Sequence, residues 1–343
     1  MQTSVLLSAS RYRVSFIAKE ILDLPSYLGS TLRGAFGHAF RGIACPSVDG
    51  DCPIPSQCPY HLIFETSPPP GSEALRTHHE IPRPFVIAPA LPTPAVADRP
   101  GRQQFNPGDE VLFELVLIGR AQEFFPYFVV ALREVDRIGR GRRTVELNRI
   151  EALPFPAPQF FEMGDGTGVQ CASGARIVYD AADNLVRGSA ENITLHDCAV
   201  VPGSKSRLTI EFLTQTRLKH EGRFIRHPDF QVVFRRLLGR LSSLARFHCS
   251  APLEVDFRGL IEQAASIRLV QDDTRWTRWQ RYSSRQDRRM EWEGIIGRAT
   301  YEGEFAPFWK CLKFGELVHV GHGATFGLGK YRIILADSPH QYD

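Results

Sequence analysis

A glycine-rich run near the end of the sequence is the stretch best suited to chemistry. Residues 317–331 read LVHVGHGATFGLGKY, with four glycines within nine positions. Glycine accepts positive φ and lets backbone N–H groups approach a phosphate. The run does not match a P-loop, because Ala324 replaces a required glycine and Tyr331 a required Ser or Thr. It does not match the dinucleotide fingerprint either. It indicates backbone contacts to something other than ATP or NAD, with a tight turn as the alternative.

His38 is the second candidate. The apolar positions of a helix predicted over 27–43 recur every four residues, which builds one buried stripe: Leu28, Leu32, Phe36 and Phe40. His38 lies off this stripe. Histidine titrates near neutral pH and is suited to general acid and base catalysis. A packing or capping role is the alternative.

Cysteines are the third group. The sequence has seven, an odd number scattered over a long chain, which argues against a disulfide framework. Cys45, Cys52, Cys58 and His61 suggest a zinc site. Structural zinc, however, prefers ligand pairs separated by about two to four residues, and only Cys58 and His61 are that close. The sequence therefore favours neither a metal nor a cofactor, and a zinc ion that braces this loop is the alternative.

Basic residues are unevenly distributed. The chain has 41 Lys+Arg and 38 Asp+Glu, and all but six of the basic residues are arginine. Residues 217–246 hold eight basic and two acidic residues, and 268–289 hold seven arginines and three aspartates. Arginine grips phosphate with two bonds and stacks on bases. These stretches indicate a polyanion partner, with an ordinary solvated helix face as the alternative.

The predicted elements explain how these residues are positioned. A length of 343 residues suggests two domains. Each half has the predicted order β-α-β-β-α-β, which folds into an antiparallel sheet with two helices on one face, the ferredoxin-like fold shared by the RRM. The predicted helices are 27–43, 124–138, 228–247 and 305–314. The predicted strands are 12–18, 62–64, 85–87, 111–118, 144–150, 207–213, 276–282, 294–301 and 331–335.

The predicted boundaries follow from composition. Residues 1–150 form an N-terminal domain with a Cys/Pro-rich insertion at about 44–108. Residues 151–204 are a connecting segment or insertion, and 205–343 form a C-terminal domain that carries the glycine-rich loop. No apolar run approaches the roughly 18 residues needed to span a bilayer, and the N-terminus lacks a secretory signal, so we expect a cytoplasmic protein.

The run LVHVGHGATFGLGKYRI resembles the C-terminal glycine-rich loop of the CRISPR-associated RAMP endoribonucleases that process precursor CRISPR RNA. Other segments are similar to the same family, in the family's order and over most of the chain. These are Gly29–Arg41, Tyr127–Arg143, Leu208–Lys219 and Trp276–Gly303.

The resemblance implies two tandem ferredoxin-like domains with a basic cleft, and metal-independent cutting of the CRISPR repeat. A general base takes the proton from a ribose 2′-hydroxyl, whose oxygen attacks the adjacent phosphate and leaves 2′,3′-cyclic phosphate and 5′-hydroxyl ends. DNA is then not a substrate. The implied partners are CRISPR repeat RNA and other CRISPR effector-complex subunits, without a membrane. The alternative is a catalytically silent RAMP subunit that binds CRISPR RNA as a scaffold.

The resemblance also implies roles for individual residues. His38 is the predicted acid and base, Tyr27 is a second candidate, and either Lys19 or Arg41 supplies positive charge. The predicted RNA-binding residues are basic or belong to the glycine-rich loop: Arg140, Arg142, Arg143, Lys219, Arg223, Arg278, Arg281, Arg285, Gly321, His322, Gly323, Gly327, Gly329 and Lys330.

Overall fold

The chain divides into two units. The N-terminal unit is Ser8–Ile193, and the C-terminal unit is Thr194–Asp343 together with Met1–Leu7. The computed structural model describes residues 7–47, 51–66, 81–91, 101–139, 141–155, 174–199, 206–249, 251–283 and 288–335. None of the helices in these ranges is long and apolar enough to cross a membrane.

The elements described in the N-terminal unit are mostly strands. In chain order these are β1 (Ser8–Ala18), β2 (Leu22–Pro25), β3 (Phe85–Pro89), β4 (Arg102–Phe105), β5 (Glu110–Ile118), β6 (Arg137–Ile138), β7 (Arg143–Ala152), β8 (Arg176–Asp180), β9 (Leu185–Val186) and, at the boundary between the units, β10 (Ile193–Thr194). The helices are α1 (Gly29–Ala44), α2 (Pro59–Ile63) and α3 (Phe125–Arg133), with a 3-10 turn over Gly119–Phe124.

The sheet of this unit confirms the predicted ferredoxin-like fold. Its antiparallel strands lie in the order β3-β5-β1-β7, and β8 and β9 extend it beyond β7. In β-α-β-β-α-β order, β1, β3, β5 and β7 are the first to fourth strands, and α1 and α3 are the two helices. On the central strand, Val14 lies opposite both Phe113 and Ile150.

Aromatic rings fill the space between helices and sheet in this unit. Phe36 of α1 stacks on Phe128 of α3, with ring centres 5.1 Å apart. Phe40, Phe64 and Phe85 surround this pair and are buried. Truncating such a buried ring costs about 3–5 kcal/mol. The stripe predicted on α1 therefore faces the core.

The C-terminal unit is built in the same way. Its strands are β11 (Arg207–Thr216), β12 (Lys219–His220), β13 (Arg223–Phe224), β14 (Arg268–Ser283), β15 (Arg288–Glu302) and β16 (Tyr331–Leu335). Its helices are α4 (Phe230–His248), α5 (Phe257–Ala264) and α6 (Trp309–Val318), with a 3-10 turn over Ala324–Phe326.

The second sheet has the order β14-β15-β11-β16, all antiparallel. This is again second, third, first and fourth strand of a ferredoxin-like unit. Phe230 and Phe234 of α4 pack against Phe308, with ring centres 5.3 and 4.8 Å away. The short hairpin β12-β13 follows β11 directly and stands apart from the sheet.

Several elements differ from their predictions. Residues 59–63 form a helix that begins at Pro59, where a strand over 62–64 is predicted. Proline suits the first turn of a helix, and a three-residue apolar run is compatible with either structure. The helix predicted over 124–138 ends at Arg133. Strands β8 and β9, within the predicted connecting segment, pair onto the sheet of the N-terminal unit.

Candidate functional site

His38 stands on the exposed side of α1, between two glycines. Gly34 lies one helical turn before it and Gly42 one turn after, and all three are exposed, whereas Phe36 and Phe40 are buried. A Cβ at either glycine would meet nothing within 4 Å. Packing therefore does not require glycine there, although glycine in a helix costs about 1 kcal/mol relative to alanine. Because Gly34 and Gly42 have no side chains, the helical turns on either side of His38 leave its imidazole open to a bulky ligand.

Arg41 and Tyr27 are placed differently from His38. The Arg41 guanidinium lies over the ring of Tyr60 on α2, 5.7 Å from its centre, so part of this side chain packs against the second helix. Tyr27 is only 8% exposed, and burial raises the pKa of its phenol well above the usual value. A buried phenol with a raised pKa is a poor general base.

A cluster of thiols follows the C-terminal end of α1. Ligand atoms of Cys45, Cys52 and His61 all lie within 4.8 Å of one another. The thiol of Cys58 does not belong to this group, although it interacts with the thiols of Cys45 and Cys52, and it donates to the carbonyl oxygen of Ala44 over 3.4 Å. Three of the four residues considered as a zinc site from the sequence are therefore brought together, and Cys58 lies beside them.

The thiols differ in acidity because their surroundings differ. Burial is the main reason that the pKa of Cys58 rises to about 11, although the backbone N–H groups of His61 and Tyr60 lower it. The pKa of Cys45 lies below its usual value. Burial opposes ionisation there, but the backbone N–H of Ser47 and the two neighbouring thiols outweigh it.

The glycine-rich run forms a loop that is hydrogen-bonded to β11. The N–H of Gly329 donates to the carbonyl of Gln215 over 3.2 Å. The hydroxyl of Thr214 donates to the carbonyl of Gly327 over 3.1 Å and accepts from the N–H of Lys330 over 2.9 Å. These bonds hold the loop against the end of a core strand.

The loop is also closed on itself. His319 is buried, at 2% exposed, and its Nδ1 donates to the carbonyl of Leu328 over 3.1 Å. The N–H of Val320 donates to the carbonyl of Gly329 over 3.0 Å. Gly329 has φ +69°, and a Cβ at this position would overlap the carbonyl oxygen of Val320. Glycine at 329 is thus required by the packing of the loop itself.

An exposed basic surface lies beside this loop. The Arg217 guanidinium stacks over the ring of Phe224, 4.2 Å from its centre. The ring of His322 meets the same phenylalanine edge-on at 5.7 Å, and its backbone N–H donates to the carbonyl of Arg217. Lys219 and Arg223, on the hairpin β12-β13, are exposed. We call Arg217, Lys219, Arg223, Phe224 and His322 the hairpin–loop surface.

The charges of this surface are available to a ligand. Arg217, Lys219 and Arg223 form no ion pair with any residue of the described ranges. The Nε of Arg217 is buried and makes no hydrogen bond with a described residue. Together with an aromatic ring, these groups can bind phosphates and stack on an unpaired base.

Other predicted RNA-binding arginines are neutralised or lie elsewhere. Arg143 pairs with Glu20 over 2.9 Å, and Arg278 pairs with Glu293 over 3.1 Å. Arg142 is exposed, with φ +47°. Arg140, Arg285 and the side chain of Arg281 lie outside the described residues.

Part of the basic stretch 217–246 is structural. The Nε of Arg240 donates to the carbonyl of Val318 at the end of α6 over 2.9 Å, and burial lowers the pKa of Arg240 to about 10. Sequence reasoning counted Arg217 only as one charge of this basic stretch and assigned no role to Phe224. The signal for both is an arginine just before the short hairpin and an aromatic residue within it, directly after β11 ends.

The C-terminal unit is similar in sequence to a known family. Residues 210–331, from β11 to the glycine loop, match the family of the CRISPR-associated endoribonuclease Cas6. This segment resembles CRISPR-associated proteins of the Cas6 type. Residues 7–166 match a second family, AF_1859_N, described as an N-terminal domain. No curated protein matches by sequence.

Solved structures agree with this fold. The product complex of Cas6 (TTHB231) is 16% identical to this chain with a TM-score of 0.55, and the match covers 95% of this chain and 100% of that chain. Thermus thermophilus Cas6 (TTHB231) is 14% identical with a TM-score of 0.52, covering 97% and 100%. A partial Cas6-RT-Cas1–Cas2 complex is 13% identical with a TM-score of 0.54, covering 97% of this chain and 47% of that chain.

Proposed function

We propose that this protein is a metal-independent endoribonuclease that cuts precursor CRISPR RNA within its repeats. The observation that carries the proposal is the hairpin–loop surface, because it lies within the segment that matches the Cas6 endoribonucleases. It combines unpaired cations with an aromatic platform at the glycine loop. We also expect the protein to act in the cytoplasm on a repeat transcript.

RNA binding is the first part of the proposal. Phosphates are contacted by Arg217, Lys219 and Arg223, and a base stacks on or beside Phe224. His322, at the rim of the glycine loop, adds a contact that strengthens when its imidazole is protonated. The loop that positions His322 takes its shape from Gly321, Gly323, Gly327, Gly329 and Lys330. The exposed Arg142 is a further phosphate contact.

Cleavage is the second part. His38 takes the proton from a ribose 2′-hydroxyl, and the oxygen attacks the neighbouring phosphorus. The bond from phosphorus to the 5′-oxygen breaks, that oxygen takes up a proton, and a 2′,3′-cyclic phosphate remains. Arg41, three residues after His38, supplies positive charge for the phosphorane. The open approach between Gly34 and Gly42 supports this role for His38, and the burial of Tyr27 is the reason to leave it out.

The partners follow from the same proposal. Repeat RNA is the substrate, and DNA is not cut because it lacks the attacking hydroxyl. One of the similar solved structures is a Cas6-RT-Cas1–Cas2 complex, which supports other CRISPR proteins as partners of this chain.

The test is incubation with the cognate repeat RNA in magnesium-free buffer containing EDTA. We expect one cut, a product lighter by one water than a linear 3′-phosphate, and no cut when the scissile nucleotide is 2′-deoxy. His38→Ala lowers the rate about 100-fold or more with repeat affinity unchanged. His196→Ala, which removes another exposed histidine, is the matched control and retains full activity.

Two results would contradict the proposal. Cleavage at the normal rate by His38→Ala removes this histidine from the mechanism. Tight binding of an intact all-ribose repeat by the native protein identifies it instead as a silent scaffold subunit.

A further inference from the structure

The thiol cluster after α1 lies apart from the residues of the proposed RNA chemistry. Its members come from two elements and the loop between them. Cys45 is the extended residue that ends α1, and Cys58 is the residue that precedes α2. His61 lies on the first turn of α2, and Cys52 lies in the loop. The two helix ends thus direct ligands from separate parts of the sequence into one cluster.

The donor set has a clear chemical preference. Three sulfurs and one imidazole form the closed Cys₃His set of structural zinc sites, whereas hard cations prefer oxygen. A tetrahedral ion with zinc–sulfur bonds of about 2.3 Å holds its sulfurs about 3.8 Å apart. The ligand atoms of Cys45, Cys52 and His61 already lie within 4.8 Å of one another. A contraction of about 1 Å would bring these three ligands to the separation that zinc requires, and the Cys58 thiol beside them would have to turn toward the ion as the fourth ligand.

We propose that Cys45, Cys52, Cys58 and His61 bind one structural zinc ion. The metal cross-links the C-terminal end of α1 to α2. Two guanidinium groups of α1 lie over rings in this region. Arg41 lies 5.7 Å from the ring centre of Tyr60 on α2, and Arg33 lies 5.1 Å from that of Phe64, which directly follows α2. The zinc therefore fixes the last turns of α1 without taking part in RNA cleavage, and because such metal binding is folding free energy, its loss loosens this region.

Metal analysis of the full chain tests the site without RNA. The native protein, purified without chelator, contains one zinc per chain. Cobalt(II) substitution gives the visible ligand-field bands and near-ultraviolet charge-transfer band of a tetrahedral thiolate site. Cys52→Ser and His61→Ala lose the metal on dialysis against a chelator. Cys249→Ser is the control, because Cys249 is another half-buried cysteine but lies in the C-terminal unit, and it retains one zinc.

His61→Cys keeps the proposal falsifiable if the other variants fold poorly, since four thiolates also bind zinc and cobalt. We expect it to retain one metal ion, with the cobalt charge-transfer band increased by the fourth thiolate. A native protein without zinc, or with a disulfide between two of these cysteines in its intact mass, overturns the site. The zinc content of the protein is also measured after the EDTA treatment used in the cleavage assay. This measurement distinguishes loss of the structural zinc from a metal requirement of the cleavage reaction itself.

Discussion

Gly329→Ala tests whether the glycine loop is built for its own packing or for contact with RNA. In the native loop, Gly329 has φ +69°, and an alanine Cβ would overlap the carbonyl oxygen of Val320. Two hydrogen bonds join Gly329 to its neighbours, one from its N–H to Gln215 and one from Val320 to its carbonyl. The overlap can be relieved only if these backbones separate.

The loss of unfolding free energy caused by Gly329→Ala can be estimated from these contacts. A left-handed backbone costs a non-glycine residue about 1–2 kcal/mol. Breaking a buried backbone hydrogen bond costs about 1–3 kcal/mol more. We therefore expect Gly329→Ala to lower the free energy of unfolding of the C-terminal unit by about 2–5 kcal/mol.

Gly222 provides the matched control. It has φ +83°, but a Cβ there would meet nothing within 4 Å, so Gly222→Ala carries only the backbone cost of about 1–2 kcal/mol. Urea unfolding followed by tryptophan fluorescence measures both variants, because Trp276, Trp279, Trp292 and Trp309 all belong to the C-terminal unit. Equal losses for the two variants would refute the packing argument. A stable Gly329→Ala protein with weak RNA binding would show instead that the glycine serves the ligand.

Two further predictions concern charge. Arg223→Ala removes an exposed and unpaired cation, so we expect lower RNA affinity and a slope of log affinity against log salt that is smaller by about 0.7–1. Arg278→Ala barely changes this slope, because Glu293 already neutralises Arg278 over 3.1 Å. Equal slopes for the two variants in salt titrations of RNA binding would contradict this prediction. The carboxylate of Asp197 accepts from the N–H and hydroxyl of Thr194, each over 2.7 Å, and these bonds lower the pKa of Asp197 below 3.8. The contribution of Asp197 to stability is therefore complete above pH 3.8 and is lost as the pH falls through the folded pKa. We expect the difference in unfolding free energy between the native protein and Asp197→Asn to become smaller on acidification. A difference that does not depend on pH, measured by fluorescence-detected unfolding, would disprove the lowered pKa of Asp197.

The fold could be predicted from the sequence wherever local spacing decides the structure. The four-residue repeat of Leu28, Leu32, Phe36 and Phe40 specified both the helix and its buried side, and these residues are buried in the structure. Alternating and β-rich runs located the four core strands of each sheet for the same reason. The order β-α-β-β-α-β then leaves few ways to cover one face of a sheet.

The sequence also named His38 and the cysteine group, but it did not establish how either is surrounded. Only tertiary structure brings Cys45 and Cys52 to His61, because the ends of two helices must meet to do so. Likewise, the register of β14 with β15 sets Arg278 opposite Glu293 and cancels a charge that the linear count treats as available. Spacing along the chain determines which side of an element a residue occupies, whereas the partner that it meets there comes from distant sequence and is decided only when the elements pack.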